Sequence, residues 1–179
     1  MMKLDTKHAF LKEDILSYQD KVNAHHEALM NKTGKGNDFV GWVEWPNNYD
    51  KEEFERIKTV AAEIRNKCEV CVVCGIGGSY LGARAAIEMI NGLYSKDKVE
   101  MIFLGNTFSS SYIAQVLDYI KDKEVCVNVI SKSGTTTETS LAFRFLKQFM
   151  EEKYGKEEAC KTYCRNNRQG KRNFKSDCG

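Results

Sequence analysis

Two short segments of the chain combine the residue types that hold phosphate groups in proteins. The first, residues 75–82, reads GIGGSYLG and directly follows an apolar run at residues 69–74. Its glycines permit a tight turn that brings backbone N–H groups close to an anion, and Ser79 adds a hydroxyl. A dinucleotide fingerprint would need glycine where Tyr80 stands, and the chain has no Walker lysine motif, so the segment favours a phosphate site over a nucleotide site.

The second segment, residues 131–139, reads SKSGTTTET and follows another apolar run at residues 125–130. Its hydroxyl side chains and backbone N–H groups can surround phosphate oxygens, with Lys132 supplying the balancing charge. The alternative is a Ser/Thr-rich helix cap, with Thr135 or Thr136 as the capping residue. A cap needs only one hydroxyl and this segment has six. The sequence therefore favours phosphate binding, and we expect the two segments to hold one monophosphate between them.

Strands and helices are predicted to alternate around these segments. Short apolar runs rich in β-branched residues predict strands at residues 69–74, 100–104 and 125–130. Apolar residues at helical spacing predict helices at residues 81–89, 110–120 and 137–154. This order is typical of an α/β fold with a doubly wound parallel sheet, which binds ligands beyond the carboxyl ends of its strands.

An N-terminal helical segment is predicted to lead into this sheet. Apolar residues recur at helical spacing from Ala9 to Leu16, and a second such pattern follows from Val22. Acidic residues after Asp50 indicate the start of another helix. We expect that helix to bury a stripe formed by Phe54, Ile57, Ala61 and Ile64.

The two segments, GIGGSYLGARA and ISKSGTTTET, resemble the sugar-phosphate-binding elements of the glucose-6-phosphate isomerase family, which is built on the sugar isomerase (SIS) domain. The stretches GNDFVGWVEWP, YDKEEFERIK and FLGNTFSSSYIAQVLDY extend the resemblance over nearly all of residues 1–160, and it is close to bacterial members. The resemblance implies a truncated SIS-type sheet. It also implies interconversion of glucose 6-phosphate and fructose 6-phosphate through an enediol(ate), a step of glycolysis and gluconeogenesis that needs no cofactor.

The resemblance also implies roles for particular residues. Gly78 and Ser79 would contact the sugar monophosphate at the end of the first strand. The phosphate cradle would consist of four residues of the second segment: Ser131, Lys132, Ser133 and Thr136. Full-length family members are expected to be homodimers.

The catalytic residues that the resemblance implies are not expected in this chain. In family members the base glutamate and the histidine and lysine of ring opening lie beyond the region represented here, and none of His8, His25 and His26 matches a catalytic motif. We therefore expect a fragment that is inactive alone. The alternative is a non-catalytic phosphosugar-binding module of a sensor or regulator, which would use the same two segments.

Composition places the chain among globular proteins. Of its 179 residues, 42% are hydrophobic and 29% are charged, which excludes disordered and fibrous classes. No apolar run approaches the length of about 20 residues that a membrane span needs. The N-terminus lacks the apolar core of a signal peptide. We therefore expect a cytoplasmic protein with no membrane partner.

The seven cysteines are expected to be reduced thiols, because their number is odd in a chain without export signals. Cys68, Cys71 and Cys74 follow one another at three-residue spacing, which can indicate a metal cluster. Side chains alternate between the two faces of a strand, so Cys71 and Cys74 should point in opposite directions. The sequence therefore predicts buried thiols and no metal site.

The positive charge of the chain is concentrated at its end. The basic tail, residues 161–179, carries a net charge of +5, which leaves −3 for residues 1–160 out of a total of +2. One interpretation of this basic tail is a nucleic-acid-binding arm. A second is a shifted reading frame: if the tail is written in suitably chosen codons and read one base later, the new sequence resembles the matching region of family members. We therefore expect out-of-frame translation and no nucleic-acid partner. The predicted organisation is an N-terminal helical and extended segment at 1–50, an incomplete SIS-like domain at 51–160, and the tail.

Overall fold

A computed structural model describes residues 5–92 and 97–166 of the chain. These residues belong to two compact units, Met1–Arg56 and Ile57–Gly179. The first unit contains helices α1 (Gln19–Met30) and α2 (Trp45–Asn48) and the start of α3 (Lys51–Lys67). Short 3₁₀ turns lie at Ile15–Tyr18, Asn37–Phe39 and Gly41–Val43.

The helix predicted from Ala9 begins later in the structure. Phe10 has a φ of 53°, in the left-handed region, which a right-handed helix cannot contain. Asp14 then caps the 3₁₀ turn, since its side chain accepts a hydrogen bond from the Leu16 N–H at 2.9 Å. The regular helix α1 starts at Gln19, so the prediction for residues 9–16 is wrong in its boundaries.

Helix α3 forms where it was predicted, but its apolar stripe is not buried. Asp50 Oδ1 accepts a hydrogen bond from the Glu53 N–H at 3.0 Å, and basic residues close the last turn. No residue of α3 is buried, and Phe54 is 43% exposed. Only Ile64, near the end of the helix, packs on a buried cluster of the sheet.

The second unit is built on a parallel sheet whose strands follow the order β2-β1-β3-β4. The strands are β1 (Val70–Cys74), β2 (Glu100–Leu104), β3 (Val125–Ile130) and β4 (Tyr163–Asn166). The helices between and after them are α4 (Leu81–Asn91), α5 (Ser110–Ile120), α6 (Thr137–Tyr154) and α7 (Lys156–Cys160). The predicted α/β fold with a doubly wound parallel sheet is confirmed.

The two faces of the sheet carry separate buried clusters. The larger cluster joins one face to α5, α6 and α7, and includes Val70, Val72, Cys74, Val125, Val127, Ile113, Leu146 and Met150. The smaller one lies on the other face and consists of Cys68, Cys71, Val99 and Cys126. Cys71 and Cys74 therefore diverge as the strand alternation predicts. Cys160 is disulfide-bonded, in contrast to the expectation of reduced thiols throughout.

The fourth strand lies inside the basic tail, where the sequence predicts no strand. Tyr163–Asn166 pairs in parallel with β3, from Val127 to Ile130. The ring of Tyr163 packs edge-on against Phe143 at a centroid distance of 5.6 Å. A strand at the sheet edge can form through backbone hydrogen bonds without an alternating apolar pattern. Residues 167–179 lie outside the described part, and the out-of-frame origin of the tail stays a prediction that the nucleotide sequence of the gene tests.

Candidate functional site

The order of the strands brings the two predicted segments together. Strands β1 and β3 are neighbours at the centre of the sheet, and β2 lies on the opposite side of β1 from β3. The connections that leave β1 and β3 therefore run in opposite directions, which creates a topological switch point. Sheets of this kind bind their ligands in the crevice at such a point, beyond the carboxyl ends of the strands. The glycine loop, residues 75–82, and the hydroxyl loop, residues 131–139, both begin there.

Gly75 is the residue at which the two loops meet. A Cβ on Gly75 would stand 3.2 Å from Ser79 Cβ and 3.3 Å from the carbonyl oxygen of Ile130, the residue before the hydroxyl loop. Ser79 and the start of the hydroxyl loop therefore approach the same glycine. A side chain at position 75 would force them apart.

The glycine loop is a short 3₁₀ turn held by its own backbone. Gly77 has a φ of 57°, and its carbonyl accepts a hydrogen bond from the Tyr80 N–H at 3.2 Å. The Ser79 N–H donates to the Ile76 carbonyl at 3.2 Å. Helix α4 follows directly, and no side chain caps its first turn. Gly78 is exposed and Ser79 is half-buried, so both are placed where a ligand can reach them.

Tyr80 anchors this turn, a role that the sequence reasoning missed. Its side chain is buried, and its hydroxyl accepts a hydrogen bond from Asn106 Nδ2 at 3.0 Å. Its ring lies 5.5 Å from that of Phe103 in β2. Asn106 follows the end of β2, so a third loop reaches the same edge of the sheet. The sequence signal for this contact was Asn106, a polar residue shortly after the strand predicted at residues 100–104.

The hydroxyl loop is closed by its own side chains. Ser131 Oγ accepts a hydrogen bond from the Gly134 N–H at 3.0 Å. Ser133 Oγ accepts one from the Thr135 N–H at 3.1 Å, and Thr135 Oγ1 lies 3.0 Å away. Ser133 Oγ and Thr136 Oγ1 are 3.5 Å apart. Hydroxyls and amides of the predicted site thus cluster before α6, so the loop is shaped before any ligand binds.

The helix-cap alternative is correct in the position of the capping residue but not in its hydrogen bond. Thr136 occupies the N-cap position of α6, but its side chain makes no capping hydrogen bond. The first turn of this 18-residue helix therefore keeps backbone N–H groups without a side-chain acceptor. Such N–H groups and the helix dipole together favour an anion at this end.

Lys132 adds a cationic group beside these N–H groups. Its side chain is exposed, and it makes no ion pair with the residues that the structure describes. Its ammonium group is therefore available to a ligand. The loop combines a positive charge on a flexible side chain with fixed amide donors, which is the chemistry that a phosphate monoester requires.

A buried layer of small and polar groups supports the two loops. A Cβ on Gly105, whose φ is 92°, would stand 3.1 Å from Cys74 Sγ and from the Gly75 nitrogen. Cys74 Sγ donates a hydrogen bond to the Thr139 carbonyl oxygen at 3.4 Å. Burial raises the pKa of Cys74 to about 12, so the thiol stays neutral. Thr139 is 2% exposed, and its hydroxyl has no partner among the described residues.

A cavity of about 740 Å³ lies elsewhere in the second unit. It runs along the outer edge of β2, where residues of α4 and Tyr112 line it. Arg84 and Glu88 form an ion pair on its wall at 2.6 Å. None of the six predicted site residues lines this cavity, so the candidate site is the crevice at the switch point.

Within the described residues, no cluster of histidine, cysteine and carboxylate side chains has the arrangement of a metal site. His8, His25 and His26 are exposed in the first unit. No described helix has both the length and the apolar character of a membrane span.

Most of the chain is similar in sequence to known proteins of one family. The family model for phosphoglucose isomerase matches residues 5–167. A glucose-6-phosphate isomerase of Mycoplasma capricolum is 50% identical over 159 residues, which is 89% of this chain and 37% of the relative. One of Clostridium perfringens strain SM101 is 56% identical over 160 residues, covering 85% of this chain and 36% of the relative. The chain thus spans little more than a third of the length of these curated relatives.

A solved structure has the same fold. The crystal structure of a hypothetical protein from Thermus thermophilus superposes with a TM-score of 0.70 and 24% sequence identity. The match covers 93% of this chain and 38% of the other. This likeness concerns the fold alone.

Proposed function

The chain belongs to the phosphoglucose isomerase family, and on that premise we propose that it carries the phosphate-binding part of an aldose–ketose isomerase acting on glucose 6-phosphate and fructose 6-phosphate. The observation that carries the proposal is the uncapped first turn of α6 next to Lys132, at the switch point of the sheet. A sugar monophosphate is the ligand class that this chemistry fits, because one phosphate group satisfies the N–H groups and the lysine together.

The proposed contacts divide between the two loops. The phosphate oxygens accept hydrogen bonds from the hydroxyl loop, whose four proposed ligands are Ser131, Lys132, Ser133 and Thr136. Gly78 and Ser79 lie on the other side of the crevice and contact the sugar. Because Ser79 Cβ and the Ile130 carbonyl approach the same point on Gly75, one small ligand can touch both loops.

In the proposed reaction this part of the protein binds and orients rather than transfers protons. Isomerisation of an aldose phosphate requires ring opening and then proton transfer between C1 and C2 by a base, through an enediol(ate). Holding the phosphate fixes the distance from it to C1 and C2, which contributes orientation to the rate. We propose that the proton-transferring groups belong to the portion of the relatives that this chain does not span.

We further propose that the reaction serves glycolysis and gluconeogenesis in the cytoplasm. The support for this proposal is membership of the phosphoglucose isomerase family. The alternative, a phosphosugar-binding module of a regulator, has no support from the relatives, since those compared carry the isomerase name.

Ligand binding is tested by thermal unfolding of the purified chain during titration with glucose 6-phosphate. A ligand that binds only the folded state stabilises it by RT ln(1 + [L]/Kd), so the unfolding midpoint keeps rising with the ligand concentration. We expect a concentration-dependent rise with glucose 6-phosphate, a smaller one with inorganic phosphate and none with glucose. A rise with glucose equal to that with its phosphate would contradict phosphate recognition, and no rise with any of them would remove the proposed site.

Catalysis is tested separately with a coupled assay that detects glucose 6-phosphate formed from fructose 6-phosphate. We expect no turnover above background at micromolar concentrations of this chain. Turnover that the Lys132→Met variant abolishes would show that the described residues include the proton-transfer groups, against the division of roles proposed above.

A further inference from the structure

Three thiols from separate parts of the second unit converge on one face of the sheet. Cys68 directly follows α3, Cys71 lies in β1 and Cys126 lies in β3. Cys71 and Cys126 are register partners on adjacent strands. All three are 4–5% exposed in the cluster with Val99, and none of them is in a disulfide. The proposed phosphate site does not use them.

Cys68 and Cys126 belong to the same small buried cluster, although they come from different parts of the chain. Cys68 Sγ donates a hydrogen bond to the Ile64 carbonyl oxygen at 3.3 Å. The neighbouring Cys126 lowers the pKa of Cys68, while burial and the charge of Glu124 oppose this effect. A lowered pKa increases the thiolate fraction, and the thiolate is the nucleophile in thiol oxidation.

Chain connectivity distinguishes this pair from Cys71 and Cys126. Cys71 and Cys126 are both held in the ladder between β1 and β3, which keeps neighbouring parallel strands about 4.8 Å apart. The backbones that carry these two thiols therefore cannot easily move closer together. Cys68 lies outside that ladder, and its N–H bonds to the Ile64 carbonyl at 3.0 Å as a continuation of α3. The end of a helix can shift more easily than a central strand, so Cys68 can approach Cys126.

We propose that Cys68 and Cys126 are a dithiol pair that hydrogen peroxide converts into a disulfide. The Cys68 thiolate attacks one peroxide oxygen, the O–O bond breaks, and hydroxide leaves with a proton as water. Cys126 then attacks the resulting sulfenic sulfur, the S–S bond forms, and the second oxygen leaves as water with the Cys126 proton. Two thiols are oxidised and one peroxide is reduced to two waters. The inference does not depend on the proposed sugar-phosphate function.

Cys74 provides an internal control. It is also buried, with an exposed fraction of 0% against 4% for Cys68, and it belongs to the cluster on the opposite face of the sheet. Burial raises its pKa to about 12, and its sulfur bonds to the Thr139 carbonyl. We therefore expect Cys74 to resist peroxide under conditions that oxidise Cys68.

The experiment maps disulfides in the reduced, purified chain after brief exposure to hydrogen peroxide and alkylation of the remaining thiols. Cleavage after glutamate separates the sulfurs into three peptides, residues 64–69 with Cys68, residues 70–88 with Cys71 and Cys74, and residues 125–138 with Cys126. We expect peptide 64–69 linked to peptide 125–138, with loss of the free Cys68 thiol about tenfold faster than that of Cys74. Dithiothreitol should restore both thiols.

Two variants sharpen the assignment. Cys126→Ala should block the link and leave Cys68 as a sulfenic acid that dimedone traps, whereas Cys74→Ala should leave the link unchanged. A link between peptides 70–88 and 125–138, a link from Cys68 or Cys126 to a cysteine elsewhere, or equal oxidation of Cys68 and Cys74 would overturn the proposal. So would the survival of all thiols at peroxide concentrations that oxidise an exposed cysteine. If a variant fails to fold, the peptide map of the unmodified chain decides the question by itself.

Discussion

The glycine loop and the hydroxyl loop reach the same crevice by opposite means. The glycine loop positions backbone by having no side chains, and a Cβ on Gly75 would meet atoms at 3.2 Å and 3.3 Å. The hydroxyl loop positions backbone with side chains, through Ser131 and Ser133. A Cβ on its glycine, Gly134, would meet nothing within 4 Å.

This difference separates stability from ligand affinity within one site. Crowding makes Gly75 of the glycine loop and Gly105 beneath it sensitive to any added atom, because backbone groups next to them cannot give way. The exposed hydroxyl loop tolerates changes in volume, but four of its polar side chains are proposed ligands of the phosphate. Substitutions in the first region should therefore alter the free energy of unfolding, and those in the second the affinity for phosphate.

The largest effect is expected for Gly105→Ala, which tests the crowding beneath the glycine loop. The new Cβ would stand 3.1 Å from the Gly75 nitrogen at a φ of 92°, so backbone strain and overlap add together. We expect a loss of about 3 kcal/mol in the free energy of unfolding, measured by urea denaturation. Gly134→Ala, with a φ of 74° and open space, is the control and should lose only about 1 kcal/mol. Equal losses would show that crowding does not matter.

Lys132→Met tests the exposed hydroxyl loop. Removal of the charge should weaken binding of glucose 6-phosphate by about 30-fold, as expected for a charge-assisted hydrogen bond. The free energy of unfolding should change by less than about 0.5 kcal/mol, because the side chain is exposed. Isothermal titration calorimetry measures the first quantity. Lys35→Met, another exposed lysine, removes the same charge from the first unit and should leave the affinity unchanged.

Gly75→Ala tests the point where the two loops meet. Its Cβ would press on the Ile130 carbonyl and on Ser79, so we expect a loss of about 1 kcal/mol in stability together with about fivefold weaker ligand binding. Thermal unfolding with and without glucose 6-phosphate measures both. Gly82 lies in α4 with nothing within 4 Å, so Gly82→Ala should leave the affinity intact and should not lower the stability. A stability change without an affinity change would mean that Gly75 does not shape the crevice.

Ser133→Ala should weaken ligand binding by about fivefold, because one hydroxyl contributes about 1 kcal/mol. It also removes the acceptor of the Thr135 N–H, which can turn to water instead because the loop is exposed. Ser133→Thr keeps the hydroxyl and should keep the affinity in calorimetry. If Thr fails to restore what Ala removes, the hydroxyl is not the contributing group.

The smallest effect concerns pH and the buried layer beneath the glycine loop. The pKa of Cys74 is about 12 in the folded chain and about 9 when exposed, so the folded state holds its proton where the unfolded state loses it. Stability from this group is complete below pH 9 and falls as the pH rises towards 12. At pH 10 the loss should be about 1 kcal/mol. Cys74→Ala should show a shallower decline in urea denaturation between pH 8 and 10, and an identical slope would refute this origin.

Local patterns predicted the elements of the sheet domain accurately. The strands at Glu100–Leu104 and Val125–Ile130 and the helices at Ser110–Ile120 and Thr137–Tyr154 have the predicted bounds. Each of these elements has a strong periodicity and a clear turn signal on both sides, so the residues within it suffice to define it.

Predictions that needed distant partners were less successful. The stripe on α3 was predicted from spacing alone, yet burial depends on which surface lies opposite a helix. The strand β4 has no apolar pattern and depends on the open edge of β3. Cys68 and Cys126 are 58 positions apart in the chain, so no local spacing rule predicts that they share one buried cluster.

For the candidate site, the sequence by itself determined which residue types are present and that both loops follow strands. Only the tertiary structure decided that β1 and β3 are neighbours, that Gly75 joins the loops and that Tyr80 and Asn106 brace them. The physical reason is that strand formation depends on local propensity and side-chain alternation, whereas strand order depends on how helices cover both faces of the sheet. Proximity in the crevice is a property of that order.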